Sequence, residues 1–435
     1  MSRAEDPDAR ALGGSEGAPP DLGHGSSHGP STEKPVDARE AAGAEGASAG
    51  TGGGEGGLGP APARSGDAPP AEAARPEMRP VLTVDLDAIR ANWAACLRLA
   101  GGGGLSAVLK ADAYGLGLVA VARALDGAGC RDFWVNDLAE AARLRAALPG
   151  ARVFCLMGLA GGAPADFAAL PAIPALVSPQ EVARCGRHAA ATGAAMEVAL
   201  QLDTGLGRLG LSETEAERLG TEGLAGLSVV ALVTHLAAYN LPDDPGNAAQ
   251  RARLRRMAGR LPKAALSLSA SSGLFMGPEW RLDLARAGSA LVGTQTSVRF
   301  QPGLRPCYSL AAPVVAVTEH PAGRRLGYRG AGVLARPSRI ATVAAGYADG
   351  LPQAYAQAGR PRFGEVPAPV VGGVAMNLTM LDATDAPEGA VGPGAQAILL
   401  DARAPVEALA EAMDCAPNVP LAQIGAAVRK VYVGG

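Results

Sequence analysis

The chain is poor in aromatic residues, which make up 4% of its 435 positions. Alanine, glycine and aliphatic side chains therefore have to fill any core it builds. Its six cysteines (Cys96, Cys130, Cys155, Cys185, Cys307, Cys415) are scattered, with no Cys-x-x-Cys pair. That argues against a zinc site or a disulfide framework and suits small buried thiols in a reducing compartment. There is no block of basic residues, and the net charge is −3. Nucleic acid and anionic membrane surfaces are poor partners for such a chain. No apolar run is long enough to span a bilayer, and no internal repeat is evident. No basic start followed by an apolar segment marks a secretory signal. A cytoplasmic protein is expected, long enough for two domains.

Residues 1–77 also lack something: large apolar side chains. Gly, Ala, Pro, Ser, Glu and Asp dominate there. Such a segment cannot bury enough surface to offset its ordering entropy and reads as a disordered tail. His24 and His28 lie in it and read as composition, with no metal site expected. Met78 stands just before the first ordered pattern, so translation could start at Met1 or at Met78.

From Val81 onward, short apolar runs alternate with segments of helical spacing. The runs are Val81–Val84, Leu105–Leu109, Phe133–Val135, Val153–Met157, Ala175–Val177, Met196–Leu202, Leu227–Val233, Leu266–Ser269 and Leu282–Ala285. Such alternation predicts a parallel sheet. Polar residues fall repeatedly at the C-terminal ends of the runs, where an eight-fold barrel carries its active site. Near residue 308 the period changes. Ala312–Val317, Arg339–Ala345, Val366–Val371 and Ala397–Leu400 read as strands, and Pro405–Met413 as a helix. The expected architecture is a disordered tail (1–77), a (β/α)8 TIM-type barrel (78–308) and a mostly β C-terminal domain (309–435).

One stretch carries most of the chemistry: Ser106-Ala-Val-Leu-Lys110-Ala-Asp-Ala-Tyr114-Gly-Leu-Gly117. Lys110 ends an apolar strand, and Gly115 and Gly117 permit a tight turn before the next helix. Burial beside an apolar strand lowers a lysine pKa, and a neutral amine can form a Schiff base with an aldehyde. On this pattern alone, a lysine that merely snorkels out from a strand end is the commoner case.

The stretch resembles the cofactor-lysine motif of the alanine racemases, which use pyridoxal 5'-phosphate. The resemblance continues in family order to about Val433. It implies that Lys110 carries the cofactor and that Tyr114 lies near its phosphate. Arg208, in Asp203-Thr-Gly-Leu-Gly-Arg208, matches an arginine that reaches the cofactor ring oxygen. Where some members carry a carbamylated lysine against that arginine, this chain has Gln201, which could hydrogen-bond Arg208 instead. His235 matches the partner of a catalytic tyrosine. Ser271, with Ser272, resembles the phosphate turn, although Ala270 replaces the family's asparagine; Gly288 and Ser289 would add backbone N–H groups. Arg286 matches the arginine facing the pyridine nitrogen. A permanent cation there disfavours protonating that nitrogen, which favours racemisation over transamination.

Two motifs of the second domain complete the resemblance. Tyr328, in Gly327-Tyr-Arg-Gly330, matches the second catalytic base, contributed by the partner subunit of a homodimer. An unperturbed tyrosine pKa of about 10 has to be lowered for that role, and Arg208 and His235 are the candidates for doing so. Tyr347 and Met376 match substrate-channel and substrate-carboxylate positions, with Asn377 replacing the usual aspartate. Asn418 stands where the family has a phosphate-binding tyrosine. The implied activity is a two-base alanine racemase, an isomerase supplying D-alanine for peptidoglycan. The alternatives are a racemase of another small amino acid such as serine, or a non-catalytic PLP-binding protein; Tyr328 argues against the latter. Arg286 argues against a decarboxylase.

Overall fold

The computed structural model describes residues 78–435. The expected disordered tail, with His24 and His28, lies outside the described residues. The chain enters through β1 (Val81–Asp85) and a helix, Leu86–Ala100. Asp85 starts that helix by accepting the Ala88 N–H at 2.9 Å, and Gly101 ends it in the left-handed region, as an N-cap and a C-terminal glycine should.

Eight parallel strands follow in order around a barrel: β2 (Gly104–Val108), β3 (Asp132–Val135), β4 (Arg152–Cys155), β5 (Ala172–Leu176), β6 (Met196–Gln201), β7 (Leu227–Val233), β8 (Ala265–Ser267) and β9 (Leu284–Ala287). β2 pairs with β9, and Asp283 and Arg286 donate N–H groups to Leu266 and Ser269, which closes the ring. Val108, Trp134, Phe154, Ile173, Ala199, Val233 and Leu284 pack inside it. Trp134 and Phe154 stack with centroids 4.2 Å apart. Most barrel strands therefore bury both faces over much of their length, inward on this plug and outward on helices, which is why they read as apolar runs.

The second sheet has nine strands. Its remaining members are β10 (Tyr308–His320), β13 (Ser338–Val343), β14 (Arg362–Phe363), β15 (Val366–Pro367), β16 (Val370–Val374), β17 (Thr379–Asp382), β18 (Gln396–Leu400) and β19 (Arg429–Val433). A small separate ladder joins β11 (Arg325–Leu326) to β12 (Gly332–Val333). β1 belongs to this second sheet, antiparallel to β10 and parallel to β19. The first apolar run, grouped by its sequence with the barrel, thus has its hydrogen-bond partners in the other sheet. Strand pairing is set by long-range partners that local hydrophobicity does not encode.

Candidate active site

At the C-terminal mouth of the barrel lies a cavity of about 310 Å³. Lys110, Tyr114, Arg208 and His235 line it, as do Ser271, Arg286, Gly288, Ser289 and Asn418. No aspartate or glutamate is in its wall. It is a cationic cleft shaped by loops that follow several different strands.

Lys110 comes from the end of β2. The next four residues, Ala111, Asp112, Ala113 and Tyr114, all have φ between 55° and 58°. A left-handed turn of L-residues costs roughly 1–2 kcal/mol per residue, so surrounding contacts have to hold it. Asp112 contributes by accepting the Leu118 N–H at 3.0 Å through its carboxylate. The Lys110 pKa is lowered, first by burial and then by the charges of Arg208 and Arg286, with Glu140 acting the other way. The amine is thereby moved toward its neutral, nucleophilic form.

Arg286 is buried and has no acid partner among the described residues. Its guanidinium donates to Ser267 O at 3.0 Å, to the Ser267 hydroxyl and to Thr234 O at 2.6 Å. It also lies 5.7 Å from the centre of the Trp134 ring. Burial brings its pKa down to about 10, which still leaves it charged at neutral pH. Three of its five N–H donors are used by these bonds. His235 is held neutral, with its pKa lowered to about 3 by burial and then by Arg286, Arg208 and Lys110.

The opposite corner is built for an anion. Ser271 Oγ accepts the N–H groups of Gly288 (2.9 Å) and Ala290 (3.0 Å), which leaves its own proton to donate. Ser289 Oγ lies 3.4 Å from the Thr296 hydroxyl. The single Thr294 hydroxyl proton is shared between Ser289 O at 3.1 Å and Oδ1 of Asn418 at 3.2 Å, which leaves the amide N–H groups of Asn418 to serve the cavity. Tyr114, its pKa raised by burial, places its hydroxyl against Gly288.

Comparison with known proteins decides the family. Residues 84–296 match the family model "Alanine racemase, N-terminal domain", and residues 307–432 match "Alanine racemase, C-terminal domain". The chain belongs to the alanine racemase family. The alanine racemase of Acidiphilium cryptum is 43% identical over 319 residues, covering 72% of this chain and 88% of that protein. The catabolic alanine racemase of Agrobacterium fabrum is 36% identical over 355 residues, covering 81% and 92%. Among solved structures, Bartonella henselae alanine racemase with covalently bound pyridoxal phosphate superposes with a TM-score of 0.77 at 30% identity. It covers 82% of this chain and 99% of that one.

Within this family the departures have structural counterparts here. Gln201 lines the cavity with Arg208, but among the described residues no hydrogen bond joins their side chains. The expected substitute contact is not made, and among the described residues the Arg208 guanidinium has no bonded partner. Ala270 lines the cavity and brings no polar group. Tyr328, Tyr347 and Met376 are not in its wall at all. Tyr328 is 80% exposed, and Tyr347 and Met376 are exposed beside one another, joined by the bonds Tyr347 N–H to Ala375 O and Ala348 N–H to Met376 O. Thr296 and Tyr239 also line the cavity, unforeseen from the sequence. Thr296 follows the Gly288-Ser289 turn in Gly293-Thr-Gln-Thr, which was the available signal. Tyr239 gave none.

Proposed function

We propose that this chain is a pyridoxal-phosphate-dependent alanine racemase, an isomerase that interconverts L- and D-alanine. The observation that carries this reading is a desolvated lysine amine in a carboxylate-free cavity opposite a buried arginine. The donor set suits the cofactor. Ser271, Ser289, Tyr114 and Asn418 offer hydroxyl and amide protons to a phosphate dianion. A Cβ at Gly288 would stand 2.0 Å from the Tyr114 hydroxyl, so only glycine leaves this corner open. When bound, pyridoxal phosphate supplies the electron sink that acidifies the α-proton of an amino acid.

In this reading Lys110 Nζ takes or returns a proton on one face of the substrate Cα. Arg286, bonded to Ser267 and Thr234 and with no carboxylate partner among the described residues, would keep positive charge beside the cofactor's ring nitrogen and disfavour a proton there. A decarboxylase would want an acid at that point. Arg208, with no bonded partner among the described residues, is available to a substrate or cofactor oxygen.

The opposite face needs a second base, and Tyr328 is the proposed one. It stands exposed on the β domain, outside its own chain's cavity, which supports a homodimer in which each subunit completes the other's site. Exposed Val298 and Phe300 near the barrel mouth fit the same arrangement. Met376 N–H donates to no group among the described residues and would meet the substrate carboxylate, with Tyr347 beside the entrance. A cytoplasmic setting and a role in supplying D-alanine for peptidoglycan follow from this activity. No helix among the described residues is long and apolar enough to cross a membrane.

The test is a panel of L-amino acids incubated with the purified protein and scored by the chirality of the product. Alanine should be racemised fastest. Borohydride treatment should trap the cofactor on Lys110. Faster racemisation of serine, or a labelled lysine elsewhere, overturns the assignment.

A further inference from the structure

The turn after Lys110 is strained, and the bond from Leu118 N–H to Asp112 holds only its C-terminal half. The hydrogen-bond ladder between β2 and β3 ends with Leu109 N–H to Trp134 O at 2.7 Å. Beyond that rung the two chains part, and the next N–H groups have no strand partner. Asp112 N–H instead donates to Oε1 of Glu140 at 2.8 Å, and Asn136 N–H donates to Oε2 of the same carboxylate at 2.8 Å. One glutamate side chain thus replaces a rung of the sheet.

We propose that Glu140 is a positioning residue for Lys110, its carboxylate joining the ends of β2 and β3 and fixing the left-handed turn from which the lysine projects. Neither of its oxygens serves its own helix, Leu138–Ala147, whose start is capped by Asp137. The neighbouring carboxylate cannot take over. Asp112 faces outward, with Oδ1 on Arg143 at 2.7 Å and on Leu118 N–H, and Oδ2 3.7 Å from Lys430 of β19. That second ion network anchors the far side of the turn and leaves the near side to Glu140.

Glu140 also acts through its charge. The charged and titratable groups bearing on Lys110 are Arg208 and Arg286, both cations, the neutral His235, and Glu140 as the one acid. Glutamine cannot imitate it. An amide has one acceptor oxygen, and its NH2 would face one of the two N–H groups.

The inference rests on Lys110 being the reacting amine, as proposed above. Three readouts test it on the full-length chain: kcat and KM of the holoenzyme, amide exchange over residues 110–118, and the pH dependence of Lys110 acylation by acetic anhydride after cofactor removal. Glu140→Gln should lower kcat about 10- to 100-fold, the loss expected for a charge-assisted hydrogen bond, with little change in KM. Exchange should accelerate over residues 110–118, and the Lys110 pKa should fall further. Glu140→Asp keeps the charge and should restore the labelling pKa and part of kcat. A Glu140→Gln chain with wild-type kcat and labelling pKa overturns the proposal. If that variant does not fold, Glu140→Asp decides alone: its carboxylate is one methylene short, so wild-type kcat with wild-type exchange overturns the proposal. Lys110→Ala, assayed alongside, separates the two claims. An active Lys110→Ala chain overturns both, whereas an inactive one beside an unaffected Glu140→Gln overturns only the role of Glu140.

Discussion

The hydroxyl of Tyr114 occupies the space beside Gly288 so closely that a Cβ built on Gly288 would stand 2.0 Å from it. Tyr114 leaves the strained turn after Lys110, and Gly288 follows β9, so this contact locks the lysine loop to the proposed phosphate corner. Gly288→Ala should displace the tyrosine and weaken pyridoxal phosphate binding by about tenfold or more, as losing one hydrogen bond to a charged group would. Tyr114→Phe removes the clashing oxygen. The two changes together should therefore be less damaging than the sum of their separate effects. Cofactor titration of the wild type, both single variants and the double variant checks this; strict additivity would show that the contact carries no energy.

His235 gives a pH dependence with a definite sign. Its folded pKa of about 3 lies below the unfolded value of about 6.5. Between these values the unfolded chain binds a proton that the folded chain does not. Stability therefore rises with pH through this window and is lost as pH falls from about 6.5 toward 3, at up to about 1.4 kcal/mol per pH unit. His235→Gln should flatten that slope. Melting temperatures of both proteins between pH 4.5 and 7.5 are the measurement, and parallel curves would show that another group controls acid stability.

If the catalytic site is shared between subunits, complementation should reveal it. The Lys110→Ala and Tyr328→Phe proteins should each be nearly inactive. A hybrid of the two has one site carrying both lesions and one carrying neither, so mixed and reassembled protein should regain part of the activity. Mixed dimers verified by mass and still inactive would place Tyr328 outside the partner's site.

Much of this was legible in the sequence, for physical reasons that differ by element. The barrel strands announced themselves because strands buried on both faces must be continuously apolar, as in Phe133-Trp-Val135. Lys110 stands out at the end of such a run, but its role, like those of Arg208 and Arg286, was legible only through the resemblance to the alanine racemases, since a lysine at a strand end or an arginine in a Gly-rich loop is by itself ordinary. The pairing of β1 with β10 and β19 was hidden, since its five residues look the same whichever sheet receives them. The helix Asn418–Ala427 was hidden too: apolar residues surround it, so it has no amphipathic period, and Pro420 suggests a turn. Pro420 is tolerated because it lies in the first turn, where N–H groups lack intrahelical partners. Glu140 reads in the sequence as one more charge at a helix start. Only the folded chain brings it to the two N–H groups it serves.

Asn418 tests whether the proposed phosphate corner is weaker than it would be with the tyrosine that the family resemblance implies at this place. It begins a helix beside the cavity, and its Oδ1 is held by the Thr294 hydroxyl at 3.2 Å. Only the amide N–H groups remain for phosphate, on a side chain shorter than tyrosine. Ala270 supplies no further donor. A hydrogen bond to a charged group contributes roughly 1.5–3 kcal/mol, and each 1.4 kcal/mol is about tenfold in affinity. A bridging water would soften the loss. The wild-type protein should therefore release cofactor during dilution and gain activity when pyridoxal phosphate is added. Asn418→Tyr should tighten the cofactor about tenfold without changing which amino acid is racemised, even though it gives up the Thr294 bond. Asn418→Ala should loosen it. Titrating the cofactor-free protein with pyridoxal phosphate, for all three side by side, measures this. An Asn418→Tyr protein that binds no better than wild type would mean that Ser271, Ser289 and Tyr114 already satisfy the phosphate, and that Asn418 serves the helix start rather than the cofactor.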